Sequence, residues 1–187
     1  IDKTSIEYLS SHLLHKDDIV GFQFTAGNTP LGIKENRQMG MSASLNKSRP
    51  SVAAHALGIA RAAFNDAIAY MNDRRQSGKR LLEFQGLQFN VADLAAELVM
   101  VESWLWRVAA LIETNAPNVG IEASILKLKA TDLAMRIATD AVQFLGGYGY
   151  CKDYRVERLM RDAKITQIWE GTNHVHRQLV GRHFYKK

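Results

Sequence analysis

Apolar side chains recur at helical spacing through most of the chain from Ser48 onward. In the first such segment they share one face, at Val52, Ala56, Ile59, Ala60, Ala63, Ala67 and Tyr70. Ser48 is a helix-capping residue type and Pro50 suits a first helical turn, so the pattern predicts a helix that begins at Ser48. Gly78 is predicted to end this helix.

Two longer segments follow with the same period, from about Gln85 to Thr114 and from about Ile121 to Leu145. Their apolar stripes hold Val91, Leu94, Ala95, Leu98, Val101, Leu105, Val108 and Ile112, and then Leu126, Ala130, Leu133, Ile137, Ala141 and Leu145. Shorter helices are predicted at about 156–167 and 173–184. Long helices joined by short turns favour an antiparallel bundle, so we predict an all-α, four-helix-type fold.

Residues 1–47 have a different pattern, with many glycines and no sustained helical period. Alternation over 17–25 predicts one short strand, and 27–32 reads as a turn. One strand cannot form a stable sheet alone. We therefore predict two parts: a short irregular or β remnant with its connection over 1–47, and a helical bundle domain over 48–187.

Composition narrows the class of protein. Of 187 residues, 47% are apolar and 23% charged, as in soluble globular proteins. No apolar run reaches the roughly 18 residues of a membrane span, and a single cysteine excludes an internal disulfide. The net charge of +5 suits anionic coenzymes; basic residues are scattered without interleaved aromatics, which argues against nucleic-acid binding. The chain begins without Met, so we expect a fragment of a longer protein.

Glu170 is the candidate catalytic side chain. It lies between the indole of Trp169 and the flexible Gly171, where a carboxylate can be desolvated and still aimed at a ligand. Desolvation makes a carboxylate a stronger base. The alternative is that Glu170 simply lies at the edge of a helix and has no catalytic role.

A second candidate site would hold phosphate. Gly146 and Gly147 follow a helix, where glycine either caps the helix or lets a bulky ligand approach the backbone. Arg74 and Arg75 could meet a pyrophosphate with bidentate geometry. His174 and His176 lie two residues apart and point to different sides of a helix, without a Cys or carboxylate set, so no metal site is predicted.

From about Pro30 to its end, the chain resembles the C-terminal part of flavin-dependent acyl-CoA dehydrogenases. The resemblance lies in Asn-Lys-Ser-Arg-Pro-Ser-Val-Ala-Ala at 46–54, Arg-Arg-Gln-Ser-Gly-Lys at 74–79, Glu-Phe-Gln at 83–85, Gln-Phe-Leu-Gly-Gly-Tyr-Gly at 143–149, and the stretch 157–172 that contains Trp-Glu-Gly-Thr. These motifs occur in family order and at family spacing. The resemblance implies a C-terminal helical domain, with 1–47 as the end of a middle β domain.

The resemblance implies a role for each matching position. Glu170 would remove the α proton of an acyl-CoA thioester while a hydride passes from the β carbon to FAD, and Arg49 would lie near it. Trp169 and Gly171 would contact the substrate. The resemblance implies FAD contacts, mostly to a neighbouring subunit's cofactor, at Arg74, Gln76, Gln85, Gln143, Gly146, Gly147, Thr172 and His174.

Four positions depart from the family pattern. Serine stands at 77 where phenylalanine is frequent, tryptophan at 169 where tyrosine is common, and histidines at 174 and 176 where glutamines are frequent. The larger indole of Trp169 would shorten or reshape the acyl pocket.

The resemblance further implies an acyl-CoA substrate, an electron-transfer flavoprotein or similar acceptor, a homotetramer or homodimer, and a cytoplasmic or mitochondrial-matrix location. We expect this chain to be inactive alone. Two alternatives stay open: a non-catalytic or split-chain subunit of the same fold, and an acyl-CoA oxidase.

Overall fold

A computed structural model describes the backbone of residues 34–185 and the side chains from Ser48 to Tyr185. The chain divides into two compact units, Ile1–Leu45 and Asn46–Lys187. Apart from the helical backbone from Lys34, the first unit lies outside the described residues. The predicted strand at 17–25 and turn at 27–32 also lie outside them, and the division at 47/48 stays a prediction.

Within the described part, five α-helices account for most of the structure. Between the first two lies a small antiparallel hairpin, and short 3-10 turns precede the second helix and follow the third. The elements are α1 (Lys34–Asp73), β1 (Arg75–Gln76), β2 (Lys79–Arg80), a 3-10 turn (Leu81–Glu83), α2 (Gln85–Glu113), α3 (Val119–Leu145), a second 3-10 turn (Gly146–Tyr150), α4 (Val156–Thr166) and α5 (Asn173–Phe184).

The predicted helical class is confirmed, and helices α2 to α5 have bounds within two residues of those predicted. Both predicted ends of α1 were wrong. The helix already includes Lys34, and Pro50 lies in its interior. Ser48 and Pro50 are therefore not its first residues, although their residue types are typical of a helix start. It ends at Asp73, since Ser77 and Gly78 both have positive φ angles, of 50° and 78°, which suit the two-residue turn of a hairpin.

Helix α3 occupies the centre of the unit that begins at Asn46, where it packs against α2, α4 and α5. Its six predicted inward residues are all buried. On α1, every predicted stripe residue except Tyr70 is buried, and alanines at 53, 56, 60, 63 and 67 let neighbouring helices approach closely. Burial of each leucine of this core contributes about 1.5–3 kcal/mol. Between residues 34 and 185, no helix combines the length and the apolarity that a bilayer crossing requires.

Candidate active site

The turn between α4 and α5 presents Glu170 from a backbone conformation that side-chain-bearing residues rarely adopt. Its φ angle is 54°, and that of Gly171 is 89°. The turn is closed by the backbone N–H groups of Trp169 and Asn173, which donate to Ile165 O at 3.1 Å and Gln167 O at 3.0 Å. A positive φ at a non-glycine residue costs about 1–3 kcal/mol and persists only where surrounding contacts hold it.

Two consecutive residues of α1 meet the Glu170 carboxylate. Ser48 Oγ donates a hydrogen bond to Glu170 Oε2 at 2.8 Å. The buried Arg49 guanidinium donates to Ser124 Oγ on α3 at 3.2 Å, and its charge interacts with that of Glu170. Burial lowers the pKa of Arg49, and the Glu170 charge opposes this shift. The structure therefore brings Arg49 near Glu170, as the sequence predicted.

The backbone of the same turn is held from its other side by two buried side chains. Lys127 Nζ donates to Gly171 O at 2.8 Å and to Asn173 Oδ1 at 2.9 Å. His176 Nε2 lies 3.3 Å from Glu170 O, and since a carbonyl only accepts, this ring nitrogen carries the proton. Both Lys127 and His176 are 0% exposed. The side chains therefore bind two successive carbonyls of the turn.

Burial also changes the acidity of these two groups. It lowers the pKa of Lys127 to about 8, against the opposing charges of Asp132 and Glu170. Burial, together with the positive charges of Lys127 and Arg49, lowers the pKa of His176 to about 4. His176 is therefore neutral near pH 7, where its Nε2–H donates to Glu170 O.

Trp169, the residue before Glu170, packs its indole against the imidazole of His55 on α1. Its ring centroid lies 5.6 Å from that of His55, and burial lowers the pKa of His55. Trp169 Nε1 is buried and has no hydrogen-bond partner in the part of the chain that the structure describes. Thr172 and His174 lie exposed at the start of α5, next to this turn. A ligand at Glu170 would thus meet a carboxylate that lies near the positive charge of Arg49.

A separate cavity of about 460 Å³ lies where α1 and the hairpin meet the C-terminal end of α3. It brings together five of the predicted cofactor residues, at Arg74, Gln76, Gln143, Gly146 and Gly147. A Cβ atom added to Gly146 or Gly147 would meet nothing within 4 Å, so their backbone is open to a ligand. Gln85, Thr172 and His174 do not line this cavity.

The chemistry of this cavity fits an anionic cofactor with an extended shape. With its amide oxygen turned toward the guanidinium, Gln76 accepts hydrogen bonds from Arg74 Nη2 at 2.6 Å and Nε at 3.3 Å. The Arg74 Cζ atom lies 5.7 Å from the ring centroid of Tyr148, which contacts Tyr70 and Tyr154. Arg155 and Asp66 form an ion pair at 2.6 Å that ties the start of α4 to α1. An oriented guanidinium beside open glycine backbone suits a pyrophosphate such as that of FAD.

The cavity and Glu170 lie far apart in the chain's own fold. Lys127, which binds the Glu170 turn, and Leu145, which lines the cavity, are both on α3. They are separated by roughly 27 Å along the helix axis. A flavin ring inside the cavity would therefore lie out of reach of a substrate at Glu170 of the same chain.

Sequence reasoning missed three residues of the Glu170 site: Ser48, Ser124 and Lys127. Ser48 was interpreted as a helix cap, and Lys127 was not singled out from the sequence. The Ser48–Glu170 pair spans 122 residues of sequence, and the Lys127–Gly171 pair spans 44. The one available signal was a lysine on the apolar side of α3, between Leu126 and Ala130, where solvent-facing charge is not expected.

Comparisons with known proteins show the family to which the chain belongs. Residues 39–185 match the family model described as acyl-CoA dehydrogenase, C-terminal domain. A probable acyl-CoA dehydrogenase FadE25 of Mycobacterium tuberculosis is 40% identical over 197 residues, which cover 93% of this chain and 50% of that protein. The chain thus spans about half the length of this curated relative.

Solved structures with a similar fold include proteins of the same family. The butyryl-CoA dehydrogenase of Megasphaera elsdenii superposes with a TM-score of 0.75 at 42% identity, over 78% of this chain and 38% of that one. A chain from a study entitled "Electron transferring flavoprotein of Acidaminococcus fermentans" superposes with a TM-score of 0.76 at 42% identity, over 80% of this chain and 39% of that one.

Proposed function

Because the chain belongs to the acyl-CoA dehydrogenase family, whose members are FAD-dependent oxidoreductases, we propose that it contributes the catalytic base for α,β-dehydrogenation of an acyl-CoA thioester. One observation supports this most: the partly buried Glu170 carboxylate stands on a strained turn, within hydrogen-bonding distance of Ser48 and beside the Arg49 charge.

In this proposal Glu170 accepts the proton that leaves the α carbon. Its backbone N–H donates to the thioester oxygen, which increases the acidity of that proton as negative charge develops on the oxygen. FAD, when bound, supplies the acceptor for the hydride that leaves the β carbon, and the product is a trans-2-enoyl-CoA. Arg49 and Ser48 hold the carboxylate in place before the substrate arrives.

Trp169 and Gly171 define the substrate side of the site. The indole adjoins His55 and precedes Glu170 in the chain, so we propose that it borders the acyl group and limits its length or branching. Gly171 leaves room for the thioester next to the base, since it carries no side chain of its own.

The cavity residues Arg74, Gln76, Gln143, Gly146 and Gly147 would hold FAD, and Gln85, which does not line the cavity, would be a further contact to it. The distance along α3 supports the proposal that this FAD serves the Glu170 of a second copy of the chain. Thr172 and His174 would then contact the flavin of their own site. The protein would act as a homodimer or homotetramer and pass electrons to an electron-transfer flavoprotein or a similar acceptor.

The function is tested with the complete product of the gene that encodes this chain, loaded with FAD. We expect saturated acyl-CoA and an artificial electron acceptor to give trans-2-enoyl-CoA without oxygen. Product that forms only with oxygen, in equal amount to hydrogen peroxide, would indicate an oxidase instead. An FAD-loaded protein that gives no product with any saturated acyl-CoA would indicate a non-catalytic subunit.

Replacing Arg74 by alanine is expected to weaken FAD binding at least about tenfold, because a charge-assisted hydrogen bond to phosphate is lost. Arg75→Ala is the matched control, since Arg75 is the next residue along the chain, is exposed in β1 and does not line the cavity. The measurement is equilibrium FAD binding to the apoprotein. Equal affinities for Arg74→Ala and wild type, or equal losses in both variants, would remove Arg74 from the proposed FAD site.

A further inference from the structure

The Glu170–Gly171 turn is supported by side chains that the reaction itself does not require. Glu170 has a positive φ angle, which is unfavourable for a residue with a side chain and persists only where neighbouring groups hold it, whereas Gly171 adopts its positive φ without strain. The carbonyls of both residues point toward buried donors, His176 Nε2 for Glu170 and Lys127 Nζ for Gly171. One donor comes from α3 and the other from α5, so the turn is fixed from two elements.

Lys127 is an unusual group for a bundle core. Its ammonium is fully buried and binds neutral oxygens, those of Gly171 and Asn173. A buried ammonium that binds neutral oxygens stabilises the fold less than an apolar residue of similar size would. A role in stability therefore does not explain why a lysine stands at position 127. The hydrogen bond from Lys127 to the Gly171 carbonyl gives such an explanation.

A polar network extends this support to the whole α4–α5 connection. The Asn173 side chain accepts from Thr131 Oγ1 at 3.1 Å, and its amide donates to Asp132 Oδ1 at 2.7 Å. Gln167, at the C-terminal end of α4, donates to the same Asp132 oxygen at 2.7 Å. Both ends of the connection are therefore tied to one turn of α3, next to Lys127.

His176 completes the arrangement from α5. Its Nδ1 is buried and has no hydrogen-bond partner within the described residues, and its Nε2 donates to the Glu170 carbonyl. The neutral imidazole thus supplies one donor at a fixed position. Gly171 lies against the same ring, since a Cβ atom there would sit 3.3 Å from His176 Nε2.

We propose that Lys127 and His176 are positioning residues that clamp the two successive carbonyls of the Glu170–Gly171 turn and so aim the Glu170 carboxylate at the substrate. Neither residue touches the substrate. The inference rests on the proposed function, in which Glu170 is the base, and it adds the groups that orient that base.

The test uses the complete gene product with FAD bound and four variants. Lys127→Met removes the ammonium with little change in length, and Lys129→Met is its control at an exposed position of the same helix. His176→Gln keeps an N–H donor near the position of Nε2, and His176→Leu removes it. The readouts are kcat, KM and amide hydrogen exchange of residues 167–173, the last of which needs no turnover.

We expect Lys127→Met and His176→Leu to lower kcat at least about tenfold with KM changed less than about threefold, and to speed exchange in 167–173. His176→Gln and Lys129→Met should stay within about threefold of wild type in kcat, with unchanged exchange. If Lys127→Met does not fold, the histidine pair decides the question.

Normal kcat and normal exchange in His176→Leu and Lys127→Met would overturn the proposal, as would a His176→Gln variant as impaired as His176→Leu. The proposed function fails in a different way, through a wild-type protein that dehydrogenates no acyl-CoA. In that case hydrogen exchange still reports on the clamp, and unchanged exchange in the variants would overturn it independently.

Discussion

Replacement of Glu170 by glutamine is expected to lower kcat for acyl-CoA dehydrogenation by about 10²–10⁴-fold, the usual contribution of a general base. Glutamine keeps the size of the side chain and can still accept from Ser48 through its amide oxygen, so the turn should keep its shape. What the variant loses is a group that takes up the α proton. The measurement is steady-state turnover with saturated acyl-CoA at matched FAD content.

Glu113→Gln is the control, because Glu113 is exposed at the end of α2. It should turn over at the wild-type rate, whereas FAD binding and melting temperature should be alike in all three proteins. A Glu170→Gln variant with at least a third of the wild-type kcat would exclude Glu170 as the base.

Gly149→Ala is expected to destabilise the protein by about 3 kcal/mol, a large effect for one methyl group. A Cβ atom at this buried position would lie 2.6 Å from the Val142 carbonyl oxygen and 2.9 Å from Leu145 Cβ. One of these contacts is backbone within α3, so the clash is relieved only by moving the helix or the following turn. For a domain of this size the melting temperature should fall by about 10 °C.

Gly147→Ala, two residues earlier in the same turn, is the control for this stability measurement. Its added Cβ atom would meet nothing within 4 Å, so we expect a melting temperature within about 2 °C of wild type. Thermal unfolding followed by circular dichroism compares the two. Equal melting temperatures for Gly149→Ala and Gly147→Ala would contradict the packing described here.

Most of the helical architecture could be predicted from the sequence, because the apolar period in α2 and α3 is long and the breaks at Asn115–Gly120 and Gly146–Gly147 are sharp. The ends of α1 were not predicted. Ser48 and Pro50 are residue types typical of helix starts, and no local feature shows that they lie inside a helix here. At the other end, no local feature shows that the helix stops before a tight hairpin.

The candidate site likewise has residues that could be predicted from the sequence and residues that could not. Of the eight residues predicted to contact FAD, five line one cavity, at Arg74, Gln76, Gln143, Gly146 and Gly147. The other three, Gln85, Thr172 and His174, do not. Their role with FAD stays a prediction, as does that of Glu170. The contacts of Ser48 and Lys127 with the Glu170 turn depend on tertiary packing of distant segments, and such pairs leave no pattern of spacing in a single sequence.

Anaerobic single-turnover mixing tests the role of Glu170 most directly, because it isolates the chemical step from the electron acceptor. FAD-loaded wild-type protein is mixed with saturated acyl-CoA, and loss of the oxidised-flavin absorbance is followed in time. If Glu170 is the base, we expect complete bleaching with enoyl-CoA formed in equal amount, and a rate at least about 10²-fold lower in Glu170→Gln. Bleaching of Glu170→Gln at the wild-type rate, or none in wild type, would contradict it.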